Sequence, residues 1–204
     1  MLIILLGKLL RKIERITNRI KAITLLSEFK SVGSGCKLEW PLKVYGSEYI
    51  TLGRNVQINW NGWLYASDHY GKQKFAPEIV IGESTSIGNN CHIVACNKVQ
   101  IGKDVMIADR CYISDNLHEY KEISRPIHDN ELLVPGKINI GDSSWIGENV
   151  CIFGNITIGR HCIVGANSVV TRDIPDYSVA VGIPARVIKR YDFASNQWRK
   201  TDSG

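Results

Sequence analysis

The stretch IGDSSWIGENVCIFGNITIGRHCIVGANSVV, residues 140–170, places an aliphatic side chain at every sixth position: Ile140, Ile146, Ile152, Ile158, Val164 and Val170. The same beat runs upstream through Ile81, Ile87, Ile93 and Val99. It restarts two residues later at Ile101, Ile107 and Ile113, and a weaker copy occupies Leu52, Ile58 and Leu64. A period of six is neither the 3.6 of an amphipathic helix nor the strict alternation of a strand. It suits a short extended face followed by a bend. Gly follows the aliphatic residue in Leu52-Gly53, Ile81-Gly82, Ile87-Gly88, Ile101-Gly102, Ile140-Gly141, Ile146-Gly147 and Ile158-Gly159, and Gly or Asn would supply the backbone freedom of a corner. Three such faces close a triangular coil, and stacked coils share one continuous core. The position four after each aliphatic residue is mostly small or β-branched, as in Thr85, Cys91, Val105, Cys111, Ser144 and Cys162. Asn97 is the exception and marks a distorted corner at the restart. An antiparallel sandwich would place its turns about every 8–12 residues instead. The expected fold is therefore an all-β solenoid.

Two stretches break the beat, at 65–78 and at 114–137. Long excursions from a repetitive core are usually functional, and in solenoids they gather on one face. The organisation expected is an amphipathic helix over 1–30, the solenoid over 31–190 and a polar tail over 191–204. In the helix Leu9, Ile13, Ile16, Ile20 and Ile23 form one stripe, with Lys8, Arg11, Lys12, Arg15, Arg19 and Lys21 largely off it. The segment is too charged to span a bilayer and has no signal-peptide cleavage pattern. It either caps an open end of the solenoid or rests on an anionic membrane face. The net charge of +5 is modest, and no basic-aromatic motif points to nucleic acid. Six scattered cysteines without a CxxC pair exclude a zinc ribbon and read as small buried thiols of a reducing, cytoplasmic compartment.

Of five histidines, His118 stands at the mouth of the second excursion, in Ile113-Ser-Asp-Asn-Leu-His118-Glu-Tyr120. A histidine there suits general-base chemistry, and a solvated loop histidine is the plainer reading. No set of three histidines has zinc-ligand spacing, so no metal is expected. Asp68-His69 in the first excursion could orient a polar substrate.

Three blocks carry a resemblance: Gly141–Gly159 with its Trp145-Ile-Gly147; Ile163-Val-Gly165-Ala166 through Thr171-Arg172 to Pro175; and Gly182-Ile-Pro184-Ala-Arg186-Val-Ile-Lys189. Together they resemble the hexapeptide-repeat acyltransferases, in the branch of galactoside, maltose and polysaccharide O-acetyltransferases. The resemblance implies a left-handed parallel β-helix, a homotrimer with sites between subunits, and acetyl-CoA as co-substrate. It also implies that His118, five residues after Ile113, is the catalytic base. Asp115-Asn116-Leu117-His118-Glu119-Tyr120 resembles the Asp-His-x-His-x-Tyr run of polysaccharide-type members, with Asn116 replacing the first His. By position the resemblance assigns CoA contacts to Glu148, Ala166, Thr171, Arg172, Arg186 and Lys189. Asp115 and Tyr120, with Asp68 and His69, become candidates for a sugar acceptor, and Asp115 or Glu119 for orienting the imidazole. A carbonic anhydrase of hexapeptide type, another acyl acceptor (serine, a nucleotide-linked amino sugar or an antibiotic) and a non-catalytic scaffold are the alternatives.

Overall fold

A computed structural model describes residues 2–201, with the side chains of residues 2 and 3 undescribed. The chain winds into a parallel β-helix of three faces, the left-handed solenoid that the family resemblance implies. The first face stacks Val32, Leu52, Ile81, Ile101, Ile140 and Ile158 in one column. The second stacks Leu38, Ile58, Ile87, Ile107, Ile146, Val164 and Ala180. The third stacks Val44, Leu64, Ile93, Ile113, Ile152 and Val170. The six-residue beat thus visits the three columns in turn. Ile79, Ile93, Ile113, Ile138, Ile146 and Ile152 are fully buried. Burying such a side chain contributes roughly 1.5–3 kcal/mol.

The glycines act differently from the sequence expectation. None of those following the beat has a positive φ. The left-handed corner residue comes two positions later and is Asn55, Asn61, Ser84, Asn90, Asp104, Arg110, Ser143, Asn149, His161 or Asn167, with φ between 54° and 60°. Gly is needed beside the corner because a side chain would strike the next coil. A Cβ on Gly53 would lie 2.5 Å from the Glu83 amide nitrogen, and one on Gly141 2.5 Å from that of Arg160. Coils stacked at the strand spacing of about 4.8 Å leave no room for it.

The second inward position is also more than a small filler. Thr85 Oγ1 donates to the Gly102 carbonyl at 2.7 Å and Ser144 Oγ to that of Gly159 at 3.0 Å. The Cys91, Cys111 and Cys162 thiols donate to the Ala108, Gly147 and Pro175 carbonyls, each at 3.1 Å. At these corners a short donor thereby satisfies a carbonyl of the following coil, where a buried polar group without a partner would be costly. All six cysteines are free.

Both excursions leave the same edge, between the third face and the first. They are slightly shorter than the broken beat suggests, because Tyr65–Ala66, Ser114, Lys137 and Glu78 still belong to strands. The intervening coil closes that edge with two extra residues, Cys96 and Asn97, which accounts for the restart of the beat.

The helix spans Leu2–Leu26 and meets the solenoid through its C-terminal part: Ala22 is buried, Leu25 and Leu26 pack on the core with Phe29 just beyond the helix, and Asn18, Ala22 and Leu26 face Leu38 and Trp40 across a groove. The stripe itself is open, so the helix as a whole is no cap. The polar tail is largely a hairpin, with Ala185–Asp192 paired to Ser178–Gly182 and to Gln197–Lys200. Tyr177, Tyr191, Phe193 and Trp198 cluster on it with ring centroids 4.8–5.4 Å apart. Such a hairpin moves the open sheet edge away from the last coil, where bare backbone groups would otherwise lie. Residues 202–204 of the expected tail lie outside the described residues.

Candidate functional site

The two excursions meet each other. The first forms a hairpin of His69–Tyr70 and Gln73–Lys74, the second a ladder of Leu117–His118 with Leu132–Leu133. Gln73 reads the second excursion as a strand would: its Nε2 donates to the Leu132 carbonyl at 3.1 Å, and its Oε1 accepts from the Leu132 amide at 2.6 Å. Tyr70 donates its hydroxyl to the His128 carbonyl at 2.9 Å. Its ring meets the His118 imidazole edge-on, with centroids 5.6 Å apart. A cleft of about 610 Å³ opens between the excursions, lined by Tyr70, Lys72, Gln73, Arg125, His128 and Glu131 among others. His118 does not line this cleft, but Tyr70 lines it and touches His118. The histidine is exposed, as a base that must meet an incoming hydroxyl has to be.

The root of the second excursion is Asp115, fully buried. Its Oδ1 accepts from the Cys96 amide at 2.9 Å and its Oδ2 from the Asn97 amide at 2.8 Å, and Asn116 Nδ2 donates to Oδ1 at 3.1 Å. The carboxylate therefore pins the widened corner of the preceding coil. Glu119 is likewise engaged: its Oε1 accepts from the Tyr120 and Lys121 amides at 2.8 and 2.7 Å. Both acids flanking His118 are held by backbone donors, and the ring in contact with the imidazole is that of Tyr70, one of the aromatic residues of the first excursion. Only its place in the shorter excursion could have signalled it. Tyr120 is exposed.

Asp68 and His69 form a local pair, Oδ1 to Nδ1 at 2.6 Å, and Tyr49 donates to Asp68 Oδ2 at 3.4 Å. The bond from His69 holds the Asp68 carboxyl below the usual carboxylate range. Cys96, beside the corner, is buried, and desolvation with the nearby Asp115 charge pushes its thiol up to about 12. It stays protonated at neutral pH and is no nucleophile.

The residues expected to meet CoA lie elsewhere. Glu148 and Ala166 sit on successive coils at the edge between the second and third faces, where the Asn167 amide donates to the Glu148 carbonyl at 2.8 Å. Glu148 is ion-paired with Arg110 one coil earlier. Below them an asparagine ladder continues, Asn149 Nδ2 donating to Asn167 Oδ1 at 3.1 Å. Thr171 and Arg172 follow the third face on the last coil, both exposed. Arg186 and Lys189 lie on the C-terminal hairpin, opposite Val181 and Val179. One chain thus brings Glu148 and Ala166 together but leaves them a full face away from His118. Among the described residues, no three His, Cys, Asp or Glu side chains converge as a metal site.

Residues 137–172 match the family model for the bacterial transferase hexapeptide (six repeats). The chain is 37% identical to a probable acetyltransferase of Mycobacterium tuberculosis, over 69% of this chain and 44% of that protein, so it spans less than half of that relative's length. It is 31% identical to the galactoside O-acetyltransferase of Escherichia coli K12, over 84% of this chain and 78% of that one. Its fold is similar to that of AntD, an N-acyltransferase from Bacillus cereus solved with dTDP and 3-hydroxybutyryl-CoA. The TM-score is 0.70 at 22% identity, covering 88% of this chain and 90% of that chain. With its repeat, its coil geometry and 31% identity to a relative that it covers over 78% of that protein's length, the chain belongs to the hexapeptide-repeat acetyltransferase family.

Proposed function

We propose that this protein is an acetyl-CoA-dependent O-acetyltransferase acting on a hydroxyl of a sugar, with His118 as general base. The carrying observation is the place of His118: exposed, three residues beyond the root of the longer excursion, and in edge-on contact with Tyr70 beside the cleft. In this reading the imidazole removes the proton of the acceptor hydroxyl as its oxygen attacks the thioester carbonyl. The C–S bond then breaks, and the imidazolium returns the proton to the CoA thiolate. Base catalysis of this kind typically contributes about 10²–10⁴-fold. Arg172, Arg186 and Lys189 would meet the phosphates of CoA, for which fixed cations are the natural partners. Ala166 and Thr171 would line the pantetheine path.

The separation of His118 from Glu148 and Ala166 within one chain supports a homotrimer, in which a neighbour's edge completes each site. The galactoside relative supports a sugar acceptor, and the polar cleft can hold one through Gln73, Arg125 and Glu131. A surface-polysaccharide precursor in the cytoplasm fits this reading. The test is CoA release from acetyl-CoA against a panel of sugars, with serine and nucleotide-linked amino sugars included. His118→Ala is expected to abolish transfer while leaving the assembled mass and melting temperature unchanged. Transfer at the wild-type rate would overturn the mechanism, and turnover with an amino sugar alone would replace the acceptor.

A further inference from the structure

The N-terminal helix turns its apolar stripe away from the solenoid as far as Ile20, and only Ile23 at the stripe's end reaches the groove against Leu38 and Trp40. Successive residues project about 100° apart around a helix. Asn18, Ala22, Leu25 and Leu26, which are covered or half-covered at the solenoid end, therefore share one side. Leu9, Ile13, Ile16 and Ile20 share the opposite side, and they are 51–59% exposed. No closure of the helix onto its own coils can cover a face that points away from them. Lys8, Lys12, Arg15 and Arg19 project along the flank between that stripe and the docked side, where Arg15 and Arg19 also line the groove beside Leu38 and Trp40, and Glu14 is the only acid in the helix. In the first turns the apolar surface widens beyond the stripe, since Ile4 is 64% and Leu10 57% exposed.

A large open apolar face marks a contact, and its chemistry selects the partner. A second copy would bring like charges together with no acidic residue opposite, and would leave Ile4 and Leu10 outside the seam. An anionic lipid surface accepts both the wide apolar arc and the basic border. No described helix is long and apolar enough to cross a membrane, so the helix would lie in the interface. We propose that Leu2–Leu26 is an in-plane anchor for an anionic membrane surface. This deepens the functional reading above, on which its purpose rests: a lipid-carried sugar acceptor would be met at that surface.

The test is co-sedimentation of the full chain with vesicles of phosphatidylcholine, alone or mixed equally with phosphatidylglycerol. The mixed vesicles are expected to bind at least tenfold better, since each basic residue near an anionic surface contributes about fivefold. The variant Ile13→Glu/Ile16→Glu/Ile20→Glu is expected to lose binding at least tenfold, with melting temperature and assembled mass retained. Lys8, Lys12, Arg15 and Arg19→Gln should remove the preference for phosphatidylglycerol. A wild-type chain that stays in the supernatant with both vesicles overturns the proposal. So does a triple Glu variant that binds like wild type, or one whose assembled mass falls, which would make the stripe a contact between copies. None of these readouts uses acetyl transfer, so their failure leaves the catalytic reading standing.

Discussion

Replacing Asp115 tests what holds the second excursion in place. Its carboxylate accepts the Cys96 and Asn97 amides at 2.9 and 2.8 Å from a fully buried position. A hydrogen bond to a charged group contributes about 1.5–3 kcal/mol, and removing the acceptor strands the donor. Two such bonds give about 3–6 kcal/mol, and single substitutions rarely exceed about 4–5. Asp115→Ala is therefore expected to cost about 3–5 kcal/mol. Asp115→Asn keeps one acceptor oxygen and should cost about half of that. Urea unfolding at fixed protein concentration reads both values, with circular dichroism to follow the β-sheet signal. Because His118 lies three residues beyond this root, kcat should fall with stability in both variants. A midpoint for Asp115→Ala within about 0.5 kcal/mol of wild type, the usual range for an inconsequential surface change, would refute the reasoning. An unchanged midpoint joined to a raised acceptor KM would return Asp115 to the role of a substrate contact.

Gly53→Ala is expected to cost about 1–3 kcal/mol by overpacking, since its Cβ would lie 2.5 Å from the Glu83 amide. Asn55→Gly, at φ 56°, should change stability by no more than about 1 kcal/mol; denaturant midpoints that reverse this order would move the corner's demand back to Gly53. Cys96, with its thiol pushed up to about 12, should resist iodoacetamide at pH 8 in the folded protein and react on unfolding. Mass spectrometry of the labelled peptides checks this, and labelling of Cys96 as fast as the partly exposed Cys151 would contradict it.

Much of the fold was legible because one coil is three copies of one short pattern. Ile140, Ile146 and Ile152 announce three faces, since each must reach a common interior at equal chain spacing. His118 was legible for a related reason: the beat stops at Ile113, which places this histidine at the mouth of an excursion, and the run around it carries the family resemblance. What could not be read was any feature set by the neighbouring coil. Gly53 looked like a hinge because Gly permits unusual dihedrals, yet its duty is to leave space for Glu83. Asp115 looked like a partner for His118 because it is close in sequence, yet Cys96 and Asn97 claim it from the preceding coil. The contact of Tyr70 with His118 carried no signal, because it joins two excursions separated by a full coil.

Periodicity by itself determined the solenoid and the excursions, since a repeating inward position is a one-dimensional property of the chain; the choice of His118 as base came from its place at the second excursion together with the family resemblance. Tertiary structure alone decided which backbone groups each buried carboxylate and thiol would satisfy. It alone decided that Tyr70 would meet His118. It also decided that the helix would dock by the side opposite its apolar stripe. These outcomes depend on which coil lies beside which, and on which face a terminal turn finds free, and neither is encoded in local spacing.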